Sequence, residues 1–162
     1  MTILIAYDGS DDAKAAIGFA GRHLSRAPAV VLVVWEPLLV QLARSSIATP
    51  GAFVRDDTEA ERQQREEAER FAADGAELAR QAGLTEVTPR AEASTGPIWA
   101  TIVDVADELD ASLVVTGSRG LARARSVLLG SVSDRVLHHV KRPVLIVPHV
   151  TAEAGDTGDT GG

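Results

Sequence analysis

The chain has no cysteine, which rules out a disulfide framework and any thiolate metal site. Aromatic residues make up only 4% of it, so the core has to be built from aliphatic side chains and alanine. No apolar run nears the roughly 20 residues that cross a bilayer, and no membrane partner is expected. The first ten residues, MTILIAYDGS, carry neither the basic start nor the small-residue cleavage site of a secretory leader, so a cytoplasmic protein is expected. Histidines number four. The adjacent pair His138 and His139 would point about 100° apart on a helix, which reads as solvated surface and not as a metal pair. A basic excess is missing too. The formal charge is −7, and three of the acids, Glu153, Asp156 and Asp159, lie in a tail without a basic residue. The remaining body is mildly acidic, a poor surface for nucleic acid.

What is there fits one domain. The 162 residues are 45% hydrophobic, enough for a proper core. The domain is expected over residues 1–149, with 150–162 as a disordered tail that repeats Gly-Asp-Thr and has nothing to bury. Residues 3–7 are a short apolar run closed by Asp8-Gly9-Ser10, a buried strand ending in a turn. Ser10 then caps a helix through about residue 25, with Asp11 and Asp12 in its first turn. Residues 30–35 form a second unbroken apolar run, and such runs belong in a parallel sheet covered on both faces.

Residues 38–57 carry no clear pattern and read as a long loop or short lid. A charged helix is expected over 58–82, with the pairs Glu61/Arg65 and Glu66/Arg70 in helix-supporting order and Phe71, Leu78 and the alanines on its packed side. A third strand fits 87–93, where Pro89 marks a sheet edge. Pro97 starts a helix over 98–109 with Ile98, Ile102, Val105 and Leu109 on one face. A fourth strand at 113–116, a helix over 131–140 and a fifth strand, Val144 to Val147, complete the pattern. Alternating strands and helices imply right-handed crossovers and an α/β, doubly wound, Rossmann-like parallel sheet of five strands in the order 3-2-1-4-5, with helices on both faces.

In such a sheet, ligands sit at the carboxyl ends of the strands where the winding reverses. Here that switch point lies between the first and fourth strands, so the turn at Asp8 and the turn at Gly117 meet at one crevice. The second of these opens the stretch TGSRGLARARSVLLGSVSDRV, with the spacing G-x2-G-x9-G-S at Gly117, Gly120, Gly130 and Ser131. Glycines permit positive φ and close approach of a ligand to backbone N–H groups. Gly130-Ser131 opens a helix whose N-terminus offers unpaired donors and a positive dipole end, and Arg119, Arg123 and Arg125 add positive charge. A phosphate-sized anion suits this segment. The bland alternative is that Gly117 and Gly120 shape a turn while Gly130-Ser131 only caps a helix. Neither a Walker loop nor a dinucleotide fingerprint is present.

These two turns, ILIAYDGS at the start and TGSRGLARARSVLLGSVSDRVLHHVKRPVLIVP near the end, resemble those of the universal stress protein family, over roughly residues 2–148. The resemblance implies ATP as the ligand, with Mg2+ as a companion, and a homodimer through Val144 to Val147. Carried over by position, Asp8 and the backbone of Ala6 and Tyr7 would hold the adenosine end. Val34 would face adenine, and Thr116 and Gly117 would line the same pocket. Gly120, Gly130, Ser131 and Ser133, with the backbone of Val132, would hold phosphates, joined by Arg119 unless that side chain is simply solvated. Asp8 is also suited to capping its own turn, and both roles can coexist. No catalytic residue and no certain metal ligand is assigned. The implied function is that of an ATP-binding stress-response regulator, with at most slow ATP hydrolysis or self-phosphorylation.

Two alternatives, one enzymatic and one a signal receiver, remain to be weighed. An ATP pyrophosphatase or adenylating enzyme would bind its anion after the first strand, where DGSDDA lacks paired glycines and carries repelling acids. A phospho-accepting receiver domain would need an aspartate ending the third strand and a lysine after the last. Here Ala93-Ser94 ends the one, and Lys141 precedes the other.

Overall fold

A computed structural model of the chain describes residues 1–37, 40–41, 57–119 and 129–149. Most of the unpatterned stretch at 38–57, the middle of the glycine segment with Gly120, Arg123 and Arg125, and the tail expected to be disordered lie outside the described residues. Among the described residues nine elements alternate: β1 (Ile3–Ala6), α1 (Asp11–His23), β2 (Ala29–Trp35), α2 (Asp57–Gln81), β3 (Val87–Ala93), α3 (Ile98–Glu108), β4 (Leu113–Gly117), α4 (Ser131–His139) and β5 (Val144–Val147). The five strands form one sheet in the order β3-β2-β1-β4-β5, and every neighbouring pair is parallel. This is the expected doubly wound α/β architecture.

The alternation of side chains along each strand sorts the core into two halves. Ile3, Ile5, Tyr7, Val31, Val33 and Val115 pack with α1 and α2 on one face. Leu4, Leu32 and Val114, flanked by Ala6 and Val34, pack with α3 and α4 on the other. A row of alanines, Ala68, Ala72, Ala76 and Ala79, is buried along α2; their small side chains let the helix lie close to the sheet. Leu78, expected on that packed side, is instead exposed. Arg62 pairs with both Glu59 and Glu66, and Arg80 with Glu77, pairs that the spacing argument passed over.

Strand ends differ by a residue from expectation. β1 stops at Ala6, although the Tyr7 amide still donates to the Leu32 carbonyl at 2.8 Å. β4 runs on through Gly117, which is level with Val147 of β5. Trp99 packs against the α3/α4 half of the core and also stacks on the His139 ring at 4.2 Å between centroids.

Candidate functional site

The winding reverses between β1 and β4, and the turns after these two strands meet there. Ala6 pairs in register with Leu32, and Ile5 with Val115. The Tyr7 amide continues the β1/β2 ladder to the Leu32 carbonyl, and Asp8 follows it directly into the turn. Ala6 and Val34 pack on the α3/α4 half of the core, and Thr116 lies within 3.3 Å of Ser133 of α4. Of the residues chosen from sequence for the adenosine end, Ala6, Val34 and Thr116 therefore share one sheet face. Tyr7 points the other way, its ring 5.3 Å from that of Phe71. Burial first, then the carboxylates of Asp74 and Asp8, push its phenol above the ordinary tyrosine value.

Helices α1 and α4 both begin at this rim, and their first turns are finished differently. At α1, the Ser10 hydroxyl accepts from the Ala13 amide at 3.1 Å, and Asp11 and Asp12 follow in the first turn. This N-terminus is already capped and already faces negative charge. At α4, the capping position is Gly130, with no side chain to cap, and the helix has no side-chain cap hydrogen bond. The Gly130 amide donates to the Ser118 carbonyl at 2.6 Å, and the helical ladder begins with Asp134 donating to Gly130. By helix geometry the amides of Ser131, Val132 and Ser133 have no partner within the helix. Three adjacent donors at the positive end of a helix suit an anionic oxygen cluster.

Glycine serves different ends at the positions of the pattern. Gly130 has φ −67° and ψ 153°, open to any residue, so only close approach argues for it there. Gly117 is buried with its missing side chain toward α1; a Cβ would sit 2.6 Å from the Asp12 carbonyl carbon and 2.8 Å from the Ala13 nitrogen. Its role is to let β4 lie against the start of α1. Among the described residues of the site, the left-handed glycine is Gly9, at φ 78°, in the turn where the Ser10 amide donates to Asp8 Oδ1 at 3.0 Å. Asp8 thus caps its own turn with one carboxylate oxygen.

Ser133 is buried and donates its hydroxyl to the Gly117 carbonyl at 2.7 Å. Ser131 is exposed at the rim and Val132 is half-buried. The Arg119 guanidinium lies with Nε 3.8 Å from Asp12. Asp12 itself is the residue that sequence reasoning missed. Grouped there with the acids that would repel an anion, it is buried and accepts from Ser118 Oγ at 2.5 Å and from the Arg119 amide at 2.9 Å. Those partners lie more than a hundred positions away in sequence, and no local pattern announces them. Among the described residues, no group of three or more His, Cys, Asp or Glu is placed to hold a metal ion, and no helix is long and apolar enough to cross a membrane.

Residues 1–148 match the Universal stress protein family. A universal stress protein of Thermus aquaticus is 35% identical over 150 residues, covering 90% of this chain and 97% of that protein. One from Mycolicibacterium smegmatis is 32% identical over 148 residues, covering 90% of this chain but 47% of the relative. The match to a Synechocystis relative takes in 31% of that protein, so the chain spans under half of two of these relatives. Among solved structures, a universal stress protein in complex with cAMP aligns with a TM-score of 0.63 at 24% identity, covering 93% of this chain and 98% of that one. The Archaeoglobus fulgidus protein in complex with dAMP aligns at 0.59 and 23%, covering 91% and 97%. Given a family match across nearly its whole length and a relative 35% identical and covered almost end to end, the chain belongs to the universal stress protein family.

Proposed function

We propose that this protein is an ATP-binding regulator of the stress response, taking adenine nucleotide in the crevice between β1 and β4. The observation that carries the proposal is the contrast between the two helix starts at the rim: α1 is capped by Ser10 and has two acids in its first turn, whereas α4 opens at Gly130 without a side-chain cap and has one, Asp134. An anion is favoured at α4 and disfavoured at α1, which also counts against a pyrophosphatase-like reading with its anion after β1. The adenine nucleotides held by two structural neighbours support the same ligand class.

In this proposal Ala6 and Tyr7 backbone, Val34, Thr116 and Asp8 take the adenosine end. Gly120, Gly130, Ser131 and Ser133, with the Val132 amide, take the phosphates. Arg119 joins them by turning from Asp12, or stays as its ion pair. Asp8 holds its turn with one oxygen and has the other to offer a ribose hydroxyl, or a magnesium ion arriving with ATP. Phosphoryl transfer needs positioned metal ligands and a group that orients the nucleophile, so the proposed role is binding and signalling, with at most slow hydrolysis or self-phosphorylation, in the cytoplasm. A homodimer through Val144 to Val147 is part of the proposal.

The test is mass spectrometry of small molecules released from freshly purified, denatured protein, followed by calorimetric titration with ATP, GTP and acetyl phosphate. Release of adenine nucleotide, or selective ATP binding, is expected. Binding of none of the three, with nothing released, would overturn the proposal.

A further inference from the structure

We infer that Asp12 is a positioning residue for the α4 N-terminus, acting through Ser118. The inference rests on the proposed nucleotide site and deepens it. A buried carboxylate must find donors, and those of Asp12 come from the far end of β4 and not from its own helix. One oxygen, Oδ2, accepts both the Ser118 hydroxyl and the Arg119 amide, with the Arg119 guanidinium behind them at 3.8 Å. Ser10 adds to this from the same turn of α1, its hydroxyl 3.4 Å from the Arg119 carbonyl. Both backbone polar groups of Arg119 are therefore held by the first turn of α1.

The consequence passes through one residue. Ser118, held by its side chain, presents its carbonyl to the Gly130 amide at 2.6 Å, and its own amide donates to Val147 of β5. This bond between Ser118 and Gly130 closes the neck of the glycine segment and fixes where α4 starts. It also fixes the direction in which the amides of Ser131, Val132 and Ser133 point. Gly117, by having no side chain, allows the approach of α1 that puts Asp12 in reach. The negative charge of Asp12 is spent on these donors, so an acid within the site's first turn is compatible with an anion at α4.

Asparagine separates geometry from charge: its side-chain oxygen can accept from Ser118 and Arg119 as Asp12 Oδ2 does. The experiment compares wild type, Asp12→Ala and Asp12→Asn by calorimetry with ATP and with adenosine, and by amide hydrogen exchange at Gly130 without ligand. Asp12→Ala is expected to weaken ATP about tenfold or more, to leave adenosine within about twofold, and to speed Gly130 exchange. Asp12→Asn is expected to restore all three. A folded Asp12→Ala with wild-type ATP affinity and wild-type Gly130 exchange would overturn the inference, as would an Asp12→Asn as defective as the alanine variant. If Asp12→Ala does not fold, Ser118→Ala takes its place with the same expected pattern, and an unaltered Gly130 exchange in it has the same adverse meaning. A wild type that binds no adenine nucleotide would defeat the site itself, and Gly130 exchange would still decide on Asp12.

Discussion

Gly117 and Asp12 are a matched pair, one lacking a side chain so that the other can be buried against it. Adding a single methyl group at Gly117 would push into the backbone of α1, at 2.6 Å from a carbonyl carbon and 2.8 Å from a nitrogen, where nothing flexible can give way. Gly117→Ala is accordingly expected to cost about 1–3 kcal/mol, read as a lower midpoint in urea unfolding; a change under about 0.5 kcal/mol would contradict this packing role. At this scale the sequence was legible where chemistry is local. The Ser10 cap, the Asp8-Gly9 turn and the helix opening at Gly130 all follow from a residue and its immediate neighbours. Gly117 carried the right flag for a different reason, because a glycine needed for packing looks the same in sequence as one needed for a ligand. Asp12 could not be read at all, since its partners are brought to it only by the fold.

Elements were placed within a residue or so, because buried parallel strands and amphipathic helices leave strong periodic signals. What the pattern did not show is how neighbouring elements are strapped together. Arg90 on β3 reaches Glu92 at 2.9 Å and Glu108 at the end of α3 at 2.7 Å. The Arg90 hydrogen bond is the main cause that holds the Glu108 carboxyl below its ordinary range, and the guanidinium is raised in turn, chiefly by Glu108. A carboxyl with a depressed folded value contributes stability that is present above its unfolded value and lost as pH falls through the folded one. Arg90→Met should therefore be less stable than wild type near about pH 7, and the gap should narrow as pH falls below the ordinary carboxylate range, in urea midpoints measured across that range. The pair is exposed at Glu108, so the gap is expected to be small. A gap that is unchanged at the acid end would show that Arg90 acts through packing instead.

Over the whole molecule, the two edges of the sheet are unequal. β3 presents Pro89, which has no amide hydrogen, with Arg90 and Glu92 beside it, features that discourage strand pairing. β5 presents Val144–Val147, with its first three residues half-buried and Ile146 in neither half of the core. A second copy pairing at β5 is expected to make the protein a dimer at micromolar concentration in light scattering, and Ile146→Lys to make it a folded monomer; a monomeric wild type would remove β5 pairing from the account. The order 3-2-1-4-5 was legible because crossover handedness leaves few alternatives, and that order alone brings Asp8 and Gly117 together. The proposed function divides the labour in that crevice, with phosphates at the start of α4 and adenosine beside Asp8. Calorimetry of ATP and AMP against Gly130→Val and Asp8→Ala, with and without magnesium, tests it most directly. Each lost charge-assisted hydrogen bond costs roughly 1.5–3 kcal/mol, so Gly130→Val is predicted to weaken ATP by about one to two orders of magnitude and AMP by less. Asp8→Ala is predicted to weaken both nucleotides alike. Wild-type affinity for ATP in a folded Gly130→Val variant would contradict the placement of phosphates at α4.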